Sequence, residues 1–342
     1  MARVKTESGR ALWPTRIFAA DRELTADGVR LNIWSMEIVI LGSGMQGTLF
    51  GVKLARAGHG VTLIARGARA AELRRAGARI ENLDSRERID IALPVLDAIP
   101  TAMDAEVCLV TLRQDQAADA LPMLTASKIK RIVFMFNQAA GAGKLRATIS
   151  PERAVLAFPG FAGGLHEGVD QYVEIPQQPT VVESQAKDIL HLFRSAGLRC
   201  RPVADMDSWL RRHAVFVTAI SGALCESGID PQELARHGDR LRGVILATRE
   251  GWKALDWAGV RPAPFMLRTI IEFVPLPLAV LYWRRLLASS RGELYFARHL
   301  RNATREMQSL ARDIATQLNP AMCPHLSRLY AALADCEMSH GV

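Results

Sequence analysis

The sequence contains no apolar stretch that is long enough to cross a lipid bilayer. Its most apolar stretch, residues 273–283, has 11 residues and contains two prolines, whereas a membrane-spanning helix needs about 20 residues. Residues 1–35 also contain no apolar core of the kind that a secretory signal peptide carries. We therefore expect a cytoplasmic protein without a membrane partner.

Cysteine is scarce and forms no CxxC motif. The absence of a signal peptide favours reduced thiols in a cytosolic protein. The eight histidines likewise show no zinc or metalloprotease spacing, so we expect no metal site. The five cysteines are Cys108, Cys200, Cys225, Cys323 and Cys336.

Positive charge is in excess but is not clustered. The 43 basic residues, mostly arginine, are interleaved with 35 acidic ones and give a net charge of +8. A nucleic-acid-binding protein usually gathers its basic residues on one face or along one helix. The distribution favours small anionic ligands over a nucleic-acid partner.

Apolar runs alternate with helical periodicity in the first half of the chain. We predict buried strands at residues 37–41, 61–64, 107–112, 132–136 and 154–158, and an edge hairpin at 80–91. Beyond about residue 205, apolar residues recur at spacings of three and four, which predicts helices alone. The fold class is therefore α/β: an N-terminal Rossmann domain with a parallel sheet, followed by an all-α C-terminal domain. The predicted divisions are 1–35, 36–205 and 206–342.

The first 35 residues show neither helical nor strand periodicity, and the buried-strand pattern begins abruptly after Met36. Because Rossmann domains commonly start near the beginning of their chain, Met36 is a candidate initiator. We expect residues 1–35 to form a poorly ordered extension.

A GxGxxG motif follows the first predicted strand directly and opens a predicted helix. Gly42 permits the tight turn, Gly44 lets the backbone approach a pyrophosphate, and Gly47 lets the helix pack close to the strand. The strand before, the helix after and a second strand at 61–64 supply the context that such a motif requires. The predicted cofactor-binding residues of this loop are Gly42, Ser43, Gly44, Met45, Gln46 and Gly47.

Arg66 ends the second predicted strand, where NAD-dependent enzymes place an acidic residue that binds the ribose 2′-hydroxyl. A guanidinium binds a 2′-phosphate bidentately, whereas a carboxylate would repel it. This favours NADPH as the cofactor, with Arg69 available to assist. The alternative is that Arg66 is an ordinary surface arginine.

The runs at residues 38–47 and 54–66 are similar to the opening of the ketopantoate reductase family, and the resemblance continues faintly to about residue 335. It implies an NADPH-dependent 2-dehydropantoate 2-reductase with its active site between two domains. It also implies that Arg66 contacts the 2′-phosphate, that Arg113 replaces a lysine near the cofactor, and that Asn137 lies near nicotinamide and substrate.

The helical part departs from the family. Family members carry a tryptophan, a lysine two residues later, and asparagines four and eight residues after that lysine, all on one helix face. Counted from Trp209, that face becomes Arg211, Val215 and Ala219. A shift by one residue gives Arg212, Phe216 and Ile220 and restores no asparagine. Arginine stays protonated, so we expect Arg211 to act as a fixed charge on the carbonyl oxygen or on a substrate carboxylate.

Glu293 is the nearest match to a family glutamate that binds the substrate hydroxyl. The alternative is an acidic residue in the first turn of a helix.

We thus predict a reductase that acts on a small-molecule carbonyl substrate resembling a 2-keto acid. The lost asparagines place ketopantoate itself in doubt. Large apolar residues in segment 265–283 belong either to a helical core or to a cleft that takes a bulkier, less polar substrate. The alternative function is a non-catalytic NADPH sensor. The oligomeric state stays open, with a homodimer as one candidate.

Overall fold

The computed structural model of the protein describes residues 35–336, except residue 102 and residues 262–264. The described residues belong to one compact unit that begins at Ser35. The predicted extension of residues 1–35 lies outside the described residues, apart from Ser35 itself. The predicted boundary near residue 205 stays a prediction, although strands occur only before it among the described residues.

The strands are numbered in chain order. They are β1 Glu37–Leu41, β2 Gly60–Ile64, β3 Ala78–Asn82, β4 Arg88–Ile91, β5 Val95–Leu96, β6 Val107–Val110, β7 Arg131–Phe134, β8 Ala154–Phe158, β9 Phe161–His166, β10 Val169–Glu174, β11 Thr180–Glu183 and β12 Cys200–Val203.

The helices are numbered in the same way. They are α1 Met45–Arg56, α2 Gly67–Ala76, α3 Gln114–Ala126, α4 Gly143–Ile149, α5 Lys187–Ser195, α6 Met206–Cys225, α7 Pro231–Arg236, α8 Gly238–Trp257, α9 Phe265–Arg268, α10 Leu276–Ala288, α11 Ser290–Gly292, α12 Arg298–Ala315 and α13 Pro324–Ala334. Two π-helical turns, Thr269–Phe273 and Glu293–Ala297, and one 3₁₀ turn, Pro320–Met322, complete the helical part.

The main sheet has eight strands in the order β12-β11-β8-β7-β6-β1-β2-β5. β1 lies at its centre and pairs in parallel with both β2 and β6. Ile38–Leu41 are all buried, as expected of a strand that is covered on both faces. The predicted parallel sheet is confirmed, with one exception: β11 runs antiparallel to β8.

A second, four-stranded sheet has the order β4-β3-β10-β9. The predicted hairpin is the antiparallel pair β3 and β4, which belongs to this sheet and not to the edge of the main one. Sequence analysis missed β9 and β10. They contain Gly163, Gly164 and several polar residues, so their alternation of apolar and polar side chains is weak.

The helical part packs α6 against α8, α12 and α13 around a separate apolar core. The apolar segment 265–283 is not one helix but is divided into α9, a π-helical turn and the first part of α10. The break falls at Pro275, which lacks the N–H that a continuing helix would require. Among the described residues, no helix is both long and apolar enough to span a membrane.

The expectation that all five cysteines are reduced is wrong for two of them. Cys225, the last residue of α6, forms a disulfide with Cys336, which lies just beyond α13. Cys108, Cys200 and Cys323 are free and buried. Sequence analysis could not identify this pair, because 111 positions separate the two residues and only the packing of α13 on α6 brings them together.

The disulfide closes a long loop, so its loss should destabilise the protein. Cys336→Ser should lower the free energy of unfolding by about 2–4 kcal/mol, mainly because the unfolded chain regains conformational freedom. Urea titrations with and without reductant would measure this. Reductant should lower the stability of the unmodified protein but not that of the variant. Five titratable thiols in the unfolded, unreduced protein would contradict the assignment.

Candidate active site

The three glycines of the loop after β1 differ in their steric surroundings. Gly42 has φ +105°, a backbone conformation that other residues rarely adopt. A side chain at Gly47 would place its Cβ 1.9 Å from the carbonyl oxygen of Gly42. At Gly44, by contrast, a Cβ would meet no atom within 4 Å. The loop is therefore closed around Gly42 and Gly47 and open at Gly44.

The open side of the loop is the amino terminus of α1. The first backbone hydrogen bond of this helix runs from the Thr48 N–H to the Gly44 oxygen over 2.9 Å, so the preceding N–H groups have no partner within the helix. No side chain caps this end, and no acidic residue lies in its first turn. The N–H groups and the helix dipole thus form a site that suits a phosphate.

A cavity beside the loop brings together most of the predicted cofactor residues. Arg66 lies at its edge as the residue before α2, and its exposed guanidinium contacts no acidic group among the described residues. Arg113 lies across from it, directly before α3. The cavity is lined by Leu41, Gly42, Ser43, Gly44, Ile64, Ala65, Arg66, Arg69, Thr111, Leu112, Arg113 and Gln116.

Arg69 is engaged beneath the loop and not free to assist with a phosphate. Its Nε donates to the Ser43 carbonyl oxygen over 2.9 Å, and its Nη2 donates to the Thr48 hydroxyl over 3.0 Å and to the Asp170 carboxylate. Its Nη1 forms an ion pair with Glu72. Arg69 thereby fastens the glycine loop to the second sheet, and Arg66 remains the uncommitted arginine of the two.

A second cavity, here called the cleft, lies between the sheets and the helical part. Met45 and Gln46 of the glycine loop form part of its wall, together with Asn137, which follows β7. The opposite wall comes from α6, from the two π-helical turns and from α10 and α12. Its volume is about 180 Å³. Its aromatic residues are Phe158, Phe161, Phe216, Tyr282, Trp283, Tyr295 and Phe296.

Three lining residues of the cleft carry a buried polar atom without a hydrogen-bond partner among the described residues. They are Asn137 (Oδ1), His213 (Nδ1) and Trp283 (Nε1). The amide nitrogen of Asn137 donates to Glu306 over 3.0 Å, which orients the side chain. Because an unpaired buried polar group costs free energy, the unpaired Oδ1 of Asn137 in this cavity points to a bound molecule that satisfies it.

The face of α6 that lines the cleft differs from the predicted one. It carries His213, Val217 and Ser221, which lie four and eight residues apart, with Phe216 beside them. Arg211 does not line the cleft. Its Nη2 pairs with Asp207 over 2.9 Å, and its Nη1 donates to Gln317 over 3.3 Å. A catalytic role for Arg211 stays a prediction that this placement does not support.

His213 lies in an aromatic enclosure. Its ring stacks on Trp209 at a centroid distance of 5.0 Å and lies 4.5 Å from the ring of Phe158. Burial lowers the pKa of His213 to about 3, and the charge of His299 adds to this effect. The imidazole is therefore neutral at ordinary pH. Sequence analysis counted the family's spacing from Trp209, which placed the first residue of the cleft-facing side at Arg211. The observed side starts two residues later, so His213 was missed.

Glu293 also lies outside the cleft lining, although Leu294, Tyr295 and Phe296 belong to it. Its carboxylate forms an ion pair with Arg301, one turn into α12. A role in binding a substrate hydroxyl stays a prediction. The ion pair favours the alternative interpretation, a structural acidic residue near the start of a helix.

The apolar segment 265–283 divides between two environments. Trp283 is buried and lines the cleft, whereas Phe273 is 68% exposed and Leu281 is 40% exposed. Part of the segment therefore shapes the cleft, as one interpretation of the sequence suggested, and part of it faces outward.

The sequence profile described as "Ketopantoate reductase PanE/ApbA" matches residues 38–171, from β1 to β10. Over this segment the chain is similar to the ketopantoate reductase family. The matched residues include the glycine loop, Arg66, Arg113 and Asn137. A search among curated proteins finds no match for the chain.

Solved structures of this fold cover nearly the whole chain. A ketopantoate reductase from Ralstonia eutropha JMP134 is 18% identical, with a TM-score of 0.67 over 87% of this chain and 97% of that one. A 2-dehydropantoate 2-reductase from Geobacter metallireducens GS-15 is 13% identical, with a TM-score of 0.67 over 88% and 100%. D-mandelate dehydrogenase with NADH and anilino(oxo)acetate is 16% identical, with a TM-score of 0.64 over 88% and 98%. At these identities the similarity establishes the fold.

Gly44 offers a direct test of the phosphate site. Gly44→Ala adds a methyl group in open space at φ −73°, so the free energy of unfolding should change by no more than about 0.5 kcal/mol. The same methyl group would occupy the approach to the helix terminus, so the dissociation constant of the dinucleotide should rise at least about tenfold, which corresponds to roughly 1.4 kcal/mol. Fluorescence titration and thermal unfolding would measure the two effects.

Gly143→Ala is the matched control, because a Cβ there also meets no atom within 4 Å and the residue lies in α4. It should change neither quantity. Unaltered dinucleotide binding by Gly44→Ala would show that no phosphate approaches this glycine.

Proposed function

We propose that this protein is an NADPH-dependent reductase whose substrate is a 2-keto acid, or a related carbonyl compound, with an apolar side chain. The observation that carries the proposal is that consecutive residues of the glycine loop line the two cavities. Gly42–Gly44 line the cavity beside the loop that also contains Arg66, and the next two residues, Met45 and Gln46, line the cleft. A dinucleotide whose pyrophosphate rests on α1 would therefore direct its nicotinamide towards the cleft.

The residues present suit this cofactor. Gly44 leaves space for the pyrophosphate, and the N–H groups at the start of α1 have no partner within the helix. The unpaired Oδ1 of Asn137 is an acceptor for a carboxamide N–H such as that of nicotinamide. When bound, the reduced nicotinamide supplies a hydride to a carbonyl carbon. The chain's own contribution is to orient that carbonyl within the cleft.

The substrate class follows from the cleft walls. An apolar cavity of about 150 Å³ is large enough for benzene, and the cleft has about 180 Å³. Its lining has seven aromatic side chains and no lysine, arginine or carboxylate. An aromatic or branched aliphatic side chain would fill it better than the hydroxylated side chain of ketopantoate. D-mandelate dehydrogenase, which shares the fold, has been solved with the aromatic compound anilino(oxo)acetate.

The preference for NADPH rests on Arg66. Its guanidinium is exposed and contacts no acidic group among the described residues, so a 2′-phosphate would not have to displace an existing ion pair. Relatives of this fold also include a protein solved with NADH. The choice between the two cofactors therefore depends on this position.

Arg66→Asp should remove the preference for NADPH. The unmodified protein should bind NADPH at least about tenfold more tightly than NADH, a difference of roughly 1.4 kcal/mol. The variant should bind the two equally or prefer NADH, because a carboxylate repels the 2′-phosphate. Arg75→Asp, an exposed charge reversal later in α2, serves as the control and should leave the ratio unchanged. Equal affinities in the unmodified protein would contradict the role of Arg66.

Turnover with a substrate panel tests the reaction itself. NADPH oxidation, followed at 340 nm, should be faster with phenyl-substituted and branched 2-keto acids than with ketopantoate, because the cleft wall is apolar. Uncharged aryl ketones in the same panel show whether the carboxylate is required. Preference for ketopantoate would overturn the substrate assignment. Tight NADPH binding without turnover of any carbonyl compound would favour the sensor function instead.

A further inference from the structure

One face of α6 brings a single ionisable side chain into the cleft. His213, Val217 and Ser221 are spaced by four residues, so their side chains follow one another along the helix. This is the spacing at which the family's lysine and two asparagines recur in the resemblance described above. The face therefore has the family's geometry with different chemistry: an imidazole, an isopropyl group and a hydroxyl.

We propose that His213 is a catalytic residue that donates a hydrogen bond from Nε2 to the carbonyl oxygen of the substrate. It would take the place of the family's lysine. The proposal rests on the carbonyl reduction proposed above.

The surroundings of the ring fix its position and leave one nitrogen for a ligand. Trp209 stacks against it with an interplanar angle of 11°, and Phe158 packs on it at 4.5 Å. Nδ1 is completely enclosed and has no hydrogen-bond partner among the described residues. Nε2 is then the nitrogen that a molecule in the cleft can reach. Asn137 lies on the wall of the same cleft, where the nicotinamide is proposed to bind.

The charge state suits a donor that keeps its proton. Burial lowers the pKa of His213 to about 3, so the ring is neutral and carries one N–H. Among the lining residues that the structure describes, there is no lysine or arginine to stabilise a developing negative charge, and the ionisable side chains besides His213 are Tyr282, Tyr295 and His299. The N–H of the neutral imidazole can stabilise that charge in place of a cationic side chain, because the low dielectric of an enclosed site strengthens its interaction with an oxyanion.

The electrons and protons balance with water as the acid. As a hydride reaches the carbonyl carbon, the π electron pair of the C=O bond moves to oxygen. The Nε2–H of His213 holds that oxygen through a hydrogen bond and is not transferred. A water molecule provides the proton that completes the hydroxyl group, and hydroxide leaves.

The first test separates the donor from the packing of the ring. His213→Phe keeps an aromatic ring against Trp209 but removes both nitrogens, and it should lower kcat roughly 100- to 1000-fold while the affinity for NADPH stays unchanged. His213→Gln keeps an N–H donor and should retain at least about tenfold more activity than the phenylalanine variant. His191→Gln, on the exposed side of α5, is the matched control and should have full activity.

The second test does not depend on turnover. Nitrogen-15 NMR of histidine-labelled protein, with His213 assigned from its loss in His213→Phe, reports which nitrogen carries the proton. Adding anilino(oxo)acetate should shift the Nε2 signal while Nε2 stays protonated and Nδ1 stays unprotonated.

Each outcome decides one proposal or both. If carbonyl compounds are reduced but His213→Phe keeps kcat within about threefold, the role of His213 is overturned and the reductase stands. If no carbonyl compound is reduced, the reductase fails. A shift of the Nε2 signal on adding the probe would then still establish His213 as the donor to a bound carbonyl. The absence of a shift at saturating probe would overturn this role of His213. A proton on Nδ1 in the complex would overturn it as well.

Discussion

The contact between Gly47 and the carbonyl oxygen of Gly42 is the constraint on which the candidate site depends. It allows α1 to start directly above the end of β1, and no side chain fits between the two residues. The Thr111 hydroxyl donates to the same Gly42 carbonyl from just beyond β6. Arg69 holds the opposite side of the loop through Ser43 and Thr48. The loop is thus fixed by the main sheet on one side and by Arg69 on the other.

Arg69 also connects the glycine loop to the second sheet, through an ion pair with a buried carboxylate. Asp170 of β10 is 1% exposed and binds the Arg69 guanidinium. Burial raises the pKa of Asp170, and Arg69 acts against that rise. Removing one partner of such a pair leaves an uncompensated charge inside the protein, which is usually strongly destabilising. The four-stranded sheet therefore helps to hold the glycine loop in place through the Asp170–Arg69 pair.

The sequence predicted the features that depend on local pattern. The buried strands β1, β2, β6, β7 and β8 are mostly continuous apolar runs. The glycine spacing identified the loop because Gly42 and Gly47 meet local steric demands and Gly44 leaves the helix terminus open. Features that depend on distant partners were missed. The Cys225–Cys336 pair and the strands β9 and β10 exist because other segments pack against them.

The cleft-facing side of α6 shows most clearly what could not be predicted from the sequence. The sequence analysis matched Trp209 to the family's tryptophan, whereas in the fold Trp209 stacks on His213. A displacement of two residues turns a helix face by about 200°, which exchanges Arg211 for His213. Helical periodicity identifies an apolar face, but α6 is buried on nearly all sides, so periodicity alone could not indicate which side meets the cleft.

The two π-helical turns have a bearing on how such a cleft diversifies during evolution. Thr269–Phe273 and Glu293–Ala297 both contribute to its wall, through Ile270 and through Tyr295 with its neighbours. A π turn is equivalent to one extra residue inserted into an α-helix. Deleting one residue from Glu293–Ala297 would rotate the side chains on one side of it by about 100° relative to the other. A single codon lost or gained here would therefore exchange several aromatic wall residues at once while the glycine loop stayed intact.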